Sequence, residues 1–161
     1  MKFKAKDISY AALIAALYVI LTFLSSLAGL ASGPVQIRFS EALCILPCFT
    51  PAAVPGLFIG CILSNLLTGG VIVDVLFGSL ATLLAALGTR ALRKRRFLAS
   101  LSPVVLNTLV IPPVLIYAYG IPSGYWIVAA GVAAGEFVSA GLLGQLLYEL
   151  LQKRIIKGRT K

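Results

Sequence analysis

Long apolar runs without a charged side chain dominate the pattern of this sequence. Residues 8–31 form the first of them, and residues 75–89, 97–119 and 121–135 form three more. A helix of roughly 20 apolar residues spans the hydrocarbon core of a bilayer, which is about 30 Å thick. Several of these runs are long enough to be transmembrane helices, so the pattern predicts an all-α integral membrane protein.

Basic side chains lie at the edges of the apolar runs, in three clusters. The clusters consist of Lys2, Lys4 and Lys6; of Arg90, Arg93, Lys94, Arg95 and Arg96; and of Lys153, Arg154, Lys157, Arg159 and Lys161. Because positively charged loops stay in the cytoplasm, an even number of spans should separate each pair of clusters. We therefore expect both the N and the C terminus to be cytoplasmic.

The segment 42–68 decides how many spans there are. Its apolar run would be roughly 40 Å long as one helix, and Pro47, Pro51 and Pro55 interrupt it. A single span would leave the central basic cluster outside the cell, whereas two short spans with a turn at Thr50 and Pro51 keep it inside. We expect two spans, with re-entry of the first of them as the competing topology.

The pattern thus predicts a single transmembrane domain over residues 1–161, folded as a bundle of six helices. Their expected ranges are residues 8–31, 35–49, 53–67, 71–90, 100–119 and 122–151. An aromatic group at the turn between the fifth and sixth helices fits the belt at a membrane interface. It consists of Tyr117, Tyr119, Tyr125 and Trp126.

Composition excludes several functional classes. Charged residues make up only 12% of the chain, against about 25% in a typical soluble domain. There is no G-x-x-x-x-G-K-[ST] loop, so any ATP hydrolysis would have to come from a partner. With no histidine and only three cysteines, we predict no metal, no cofactor and no catalytic residue. The net charge of +9 follows from topology, so we expect no nucleic acid partner.

Four charged side chains fall inside the predicted membrane region, namely Arg38, Glu41, Asp74 and Glu136. Each costs about 2.5 to 3.5 kcal/mol at the centre of a bilayer, so each should face the interior of the bundle and meet a partner. A functional site is one explanation. The alternative is structural, most simply an ion pair between Arg38 and Glu41, which are three residues apart.

The amides Asn65 and Asn107 also lie within apolar runs, where they either bind a ligand or join helices. Together with the carboxylates they predict a pocket for a planar, nitrogen-rich molecule that has several N–H donors. Phe39, Tyr125 and Trp126 could supply its apolar walls, although residues of an aromatic belt would look the same.

Small residues at four-residue spacing indicate where helices approach one another closely. We expect Gly56 with Gly60, and Gly131 with Gly135, to pack inside the chain. The first helix carries two interleaved pairs, which could bind a partner protein. These pairs are Ala11 with Ala15 and Ala12 with Ala16.

Several ordered motifs resemble those of the QueT family. The string RFSEAL at residues 38–43 is followed by Leu46-Pro47, Thr50-Pro51 and Pro55-Gly56-Leu57, and later by DVLFGSLAT at residues 74–82, by Asn107 and by Gly135-Glu136. The resemblance covers nearly the whole chain. It implies a substrate-binding (S) component of an energy-coupling factor transporter in a prokaryotic plasma membrane, importing queuosine precursors of the 7-deazaguanine class.

The resemblance also implies partners and roles. The partners are a transmembrane coupling protein, which contacts the alanine-rich face of the first helix, and two ATPases. We expect Glu136 or Asp74 to accept the ligand's N–H groups and Asn65 or Asn107 to read its carbonyl. Arg38 with Glu41 would close the outer mouth. The alternatives are an S component for another vitamin and a solitary carrier that uses Asp74 and Glu136 as a proton relay.

Overall fold

The computed structural model describes residues 4–31 and 35–159, with side chains up to residue 154. All regular elements of these residues are helical, which confirms the predicted all-α class. In chain order they are α1 (Ala5–Leu27), a 3₁₀ helix (Phe39–Cys48), α2 (Ala53–Leu67), α3 (Ile72–Ala91), α4 (Arg96–Tyr117), α5 (Tyr125–Glu136), a π-helical turn (Phe137–Leu143) and α6 (Gly144–Arg159). The last three follow one another without a break, so residues 4–31 and 35–159 form six helical segments.

Four of these segments are long and apolar enough to cross a membrane. They are α1, α3, α4 and the continuous helix that begins at Tyr125. Apolar side chains such as Leu13, Leu109 and Ile127 remain more than half exposed, as expected for surfaces that face lipid. The prediction of a multi-pass membrane protein is therefore confirmed.

Several helix ends differ from their expected positions. The first helix ends at Leu27 rather than at residue 31, because Gly29 adopts φ +69° and Leu30 N–H then donates to the Ser25 carbonyl at 2.9 Å. The fifth segment begins at Arg96, four residues earlier than expected, since a helix extends beyond the apolar core into its basic flank. The sixth begins at Tyr125, after Gly124 in extended conformation.

The second segment is a 3₁₀ helix of ten residues instead of the expected α-helix. Pro47 lies inside it, and in a regular α-helix its ring would clash with the carbonyl of residue 43. At about 2.0 Å per residue the 3₁₀ helix is roughly 20 Å long, shorter than the hydrocarbon core. It packs against α1, α2, α3, α4 and α6, so its irregular backbone is sheltered by protein.

Helices α1 and α2 pack closely because glycines of α2 face alanines of α1. A Cβ added at Gly60 would lie 3.0 Å from the Ala15 Cα, and one added at Gly56 would lie 2.7 Å from the Ala11 carbonyl oxygen. Ala11 and Ala15 therefore contact α2 of the same chain. Contact of the alanine-rich face with a partner stays a prediction, and Ala12 and Ala16 are the two exposed members of that face.

The apolar core lies in two parts on either side of a polar interior. The larger part joins α1, the 3₁₀ helix and α2, and Tyr18 and Leu57 are completely buried there. The smaller part joins α4 and α5 around Leu115, Val128 and Val132. Glu41, Asn107 and Glu136 line a space between these two parts, together with Cys61 of the larger and Val132 of the smaller part.

Candidate functional site

A cavity of about 560 Å³ opens at the end of the bundle opposite the α3–α4 turn. Its walls come from the end of α1, from the α2–α3 turn and from the α4–α5 turn. They consist of Thr22, Ser26, Ala31, Gln36, Arg38, Asn65, Thr68, Gly69, Gly70, Asp74, Leu115, Tyr119 and Ile121. The volume falls within the range of sites that bind small molecules. We call this space the upper cavity.

Asp74 is the carboxylate of the upper cavity. It lies in the first turn of α3, where the helix dipole favours negative charge, and only 4% of it is exposed. Its Oδ2 atom accepts a hydrogen bond of 2.8 Å from the Tyr119 hydroxyl. Burial and this hydrogen bond raise the pKa of Tyr119 above its ordinary value, so the hydroxyl stays protonated as a donor. No hydrogen bond to Oδ1 is present among the described residues.

Arg38 lies beside Asn65 and Gln36 in the same cavity. Its guanidinium donates to the Asn65 Oδ1 atom at 3.4 Å and to the Gln36 Oε1 atom at 3.5 Å, both long hydrogen bonds. Across the residues that the structure describes, which include every Asp and Glu, no carboxylate lies within 4.0 Å of this guanidinium. The expected alternative of an Arg38–Glu41 ion pair is thus not formed, and Arg38 retains donors for a ligand.

Below the upper cavity lies a smaller space of about 20 Å³, which we call the lower pocket. Gln36 and Arg38 line both spaces, whereas Glu136 and Asn107 line only the lower one. The Asn107 Nδ2 atom donates to Glu136 Oε1 at 2.8 Å. The other oxygen of Glu136, Oε2, is buried and has no hydrogen-bond partner among the residues that the structure describes. The lower pocket has room for about one water-sized group.

The backbone around Arg38 packs against α5 and the π-helical turn, through one hydrogen bond and one close contact at a glycine. The Arg38 N–H donates to the Ser139 hydroxyl of the π-helical turn at 3.2 Å. A Cβ added at Gly135 would overlap the carbonyl oxygen of Gln36. The close approach of these two segments therefore places Arg38, Gln36 and Glu136 around one space.

Glu41 lies deeper than expected. It is 2% exposed, its Oε1 atom accepts from the Tyr18 hydroxyl, and its Oε2 atom accepts from the Cys44 thiol at 3.1 Å. It lines the lower pocket but not the upper cavity, because the 3₁₀ helix carries it inward from Arg38. The structure therefore does not bring Glu41 to the outer mouth with Arg38.

The three aromatic residues expected in the walls, Phe39, Tyr125 and Trp126, line neither space. Trp126 is 81% exposed and stacks edge-on against Tyr125, with 5.2 Å between the ring centroids. It faces outward from the first turn of α5, as a residue of the aromatic belt does. Phe39 lines neither space, and its backbone N–H donates to the Ser25 hydroxyl at 2.8 Å.

Several polar residues of the upper cavity were not expected from the sequence. Gln36 and Tyr119 both hydrogen-bond to the charged side chains, and Thr22 and Ser26 line the wall on α1. Thr22 and Ser26 are four residues apart, so they share one face of an otherwise apolar helix. The spacing of Thr22 and Ser26 could have indicated this polar face from the sequence. Tyr119 could not be distinguished from a residue of the aromatic belt.

Comparison with known proteins gives a consistent assignment. The model of the QueT transporter family matches residues 8–153. A protein of Lactococcus lactis subsp. cremoris (strain MG1363) named queuosine precursor transporter QueT is 43% identical over 82 residues, which cover 51% of this chain and 48% of that protein. The matched part is thus about half the length of this curated relative. No solved structure matches the chain. Because the family model covers most of the sequence, this chain belongs to the QueT transporter family.

Proposed function

We propose that this chain is the substrate-binding component of an energy-coupling factor transporter and that it binds a queuosine precursor of the 7-deazaguanine class. One observation carries the proposal. Asp74, Asn65 and Arg38 converge on a cavity of about 560 Å³ inside an apolar bundle. Family membership and the name of the relative from Lactococcus lactis support the choice of ligand.

The upper cavity suits the polar edge of a guanine-like ring. Such a ring presents a ring N–H and an exocyclic amine side by side, and a carboxylate accepts both. Asp74 takes this role, because its Oδ1 atom is not engaged by the described residues. The ring carbonyl accepts from Arg38 or Asn65, and Leu115 and Ile121 provide apolar surface for the ring faces.

The lower pocket suits a substituent rather than a ring. At about 20 Å³ it accommodates one group of the size of water or ammonium. The Glu136 Oε2 atom, which is buried and unpaired within the described part of the chain, accepts hydrogen bonds from a primary ammonium group. An aminomethyl substituent on the deazaguanine ring therefore reaches past Gln36 and Arg38 toward Glu136, which favours the cationic precursor over the nitrile.

Calorimetry with the purified chain tests both parts of this assignment. We expect 7-aminomethyl-7-deazaguanine and 7-cyano-7-deazaguanine to bind, and adenine to bind at least tenfold more weakly, because its edge presents a different order of donors and acceptors. Glu136→Gln should weaken binding of the aminomethyl compound by about 2 kcal/mol, since a charge-assisted hydrogen bond is lost. The same change should leave the affinity for the nitrile within about 0.5 kcal/mol.

Failure of the wild-type chain to bind either deazaguanine would refute the assigned ligand. An equal loss for both compounds in folded Glu136→Gln would instead place Glu136 against the ring. Adenine bound as tightly as the deazaguanines would remove the role given to Asp74. These three results separate the choice of ligand from the choice of contact residue.

The exposed pair Ala12 and Ala16 forms the surface for the coupling protein in this proposal. Both lie on the lipid-facing side of α1, and small side chains permit another helix to approach closely. The chain itself has no ATP-binding loop, so two ATPases would supply the energy through that coupling protein.

Ala16→Trp should reduce uptake at least tenfold and prevent copurification with the coupling protein, while calorimetric binding of the ligand stays unchanged. Leu84→Trp is the matched control, because Leu84 is 50% exposed on α3 and lies on a different helix from the proposed surface. Uptake that persists in cells lacking the coupling protein and both ATPases would contradict the proposal and favour a solitary proton-coupled carrier.

A further inference from the structure

A second cleft, of about 540 Å³, lies at the opposite end of the bundle from the upper cavity. It is formed where the α3–α4 turn meets α6. Its walls are Lys94, Arg95, Arg96, Phe97, Leu98, Tyr148 and Gln152. None of these residues belongs to the proposed substrate site, so the cleft requires an explanation of its own.

The positive charge of this cleft is only partly compensated. Arg96 lies 3.5 Å from a carboxylate oxygen of Glu149 and stacks over the ring of Phe97. Lys94 and Arg95 have no carboxylate within 4.0 Å among the described residues, which include all five acidic residues of the chain. Two cationic side chains are therefore available to an anionic group. Topology accounts for positive charge at this end, but not for a cleft with aromatic walls.

An apolar stripe leads away from the cleft along α4. It consists of Phe97, Leu101, Val105 and Leu109, at four-residue spacing on one face of the helix, and the four are 62%, 38%, 55% and 59% exposed. The stripe is about 18 Å long, close to the roughly 15 Å of hydrocarbon in one leaflet. A cationic cleft continuous with such a stripe matches a molecule that has an anionic head and a long apolar tail.

We infer that this cleft binds the headgroup of an anionic phospholipid, with an acyl chain lying along the stripe. Lys94 and Arg95 contact the phosphate, and Phe97 and Tyr148 flank the glycerol region. A soluble phosphate would contact Lys94 and Arg95 but not the apolar stripe. A neutral lipid would contact the stripe but would not pair with the two cations. The inference does not depend on the ligand of the upper cavity.

Native mass spectrometry of the purified chain in maltoside micelles measures this binding. We expect dioleoyl phosphatidylglycerol to bind at least tenfold more tightly than dioleoyl phosphatidylcholine. Each basic side chain at an anionic lipid contributes roughly a fivefold gain in affinity, so the double variant Lys94→Gln, Arg95→Gln should bind phosphatidylglycerol about thirtyfold more weakly. Its affinity for phosphatidylcholine should not change.

The double variant Lys4→Gln, Lys6→Gln is the matched control, since it removes the same charge outside the cleft and should lose less than threefold. Equal losses in the two double variants would overturn the inference, because they would indicate general attraction to positive charge. Displacement of the lipid by an equal concentration of inorganic phosphate, or no preference over phosphatidylcholine, would also overturn it. Should the double variant unfold, Lys94→Gln alone is expected to cost about fivefold.

Discussion

Asp74→Asn is expected to weaken binding of both deazaguanine compounds by about 2 to 3 kcal/mol, measured by calorimetry. Asparagine keeps the shape of the side chain and can still accept the hydrogen bond from Tyr119. It loses the negative charge, and its amide nitrogen is a donor that would face the ligand's N–H groups. The loss should therefore appear for the aminomethyl and the nitrile compound alike, unlike the loss in Glu136→Gln.

Tyr119→Phe is the control for this prediction. It removes the 2.8 Å hydrogen bond to the Asp74 Oδ2 atom but leaves the carboxylate in place, so we expect a loss of less than about 1 kcal/mol. If Tyr119→Phe weakened binding as much as Asp74→Asn, the carboxylate would act by holding the α4–α5 turn and not by contacting the ligand. Unchanged affinity in folded Asp74→Asn would exclude Asp74 from the contact.

Gly135→Ala should impair both stability and binding, although it adds a single methyl group. The new Cβ would overlap the Gln36 carbonyl oxygen, so the backbone that leads to Arg38 must move away from α5. Overpacking of this kind costs about 1 to 3 kcal/mol, which corresponds to a fall in Tm of roughly 5 °C. We expect calorimetric affinity for either deazaguanine to fall at least tenfold, because Gln36 and Arg38 shift together.

Gly124→Ala is the matched control, since a Cβ added at Gly124 meets no heavy atom within 4 Å. It should leave Tm and affinity unchanged. A Gly135→Ala variant with wild-type affinity would contradict the idea that the contact between Gly135 and Gln36 positions the site. A fall in Tm without a fall in affinity would restrict the role of Gly135 to packing.

The fold class and the membrane location could be predicted because both depend on hydrophobicity averaged over whole segments of about 20 residues. The helices α1, α3 and α4 are 23, 20 and 22 residues long, which is enough to span the membrane, so small errors at their ends do not change the assignment. The 3₁₀ helix was not predicted, because its form depends on Pro47 and on five surrounding helices. Apolar composition alone does not distinguish it from a short α-helix.

Candidate site residues were predictable where burial is costly. Arg38, Asp74 and Glu136 were singled out because charge inside a bilayer needs a partner. The structure places each of them at the upper cavity, the lower pocket or both. The position of Glu41 at the lower pocket and the outward direction of Trp126 depend on how each helix is rotated about its axis in the bundle. Rotation is set by tertiary packing, which the sequence pattern constrains only weakly in helices that are apolar on every side.

The π-helical turn changes the direction in which side chains point from the last helical segment. A turn with i→i+5 hydrogen bonds takes up an extra residue, so everything beyond it is rotated by about 100° from the course of a regular helix. The first half directs Glu136 toward the lower pocket, and the second directs Tyr148 toward Phe49, 4.9 Å away between ring centroids. The side chains before and after the π-helical turn therefore point in different directions, although the helix continues without a proline kink or a loop.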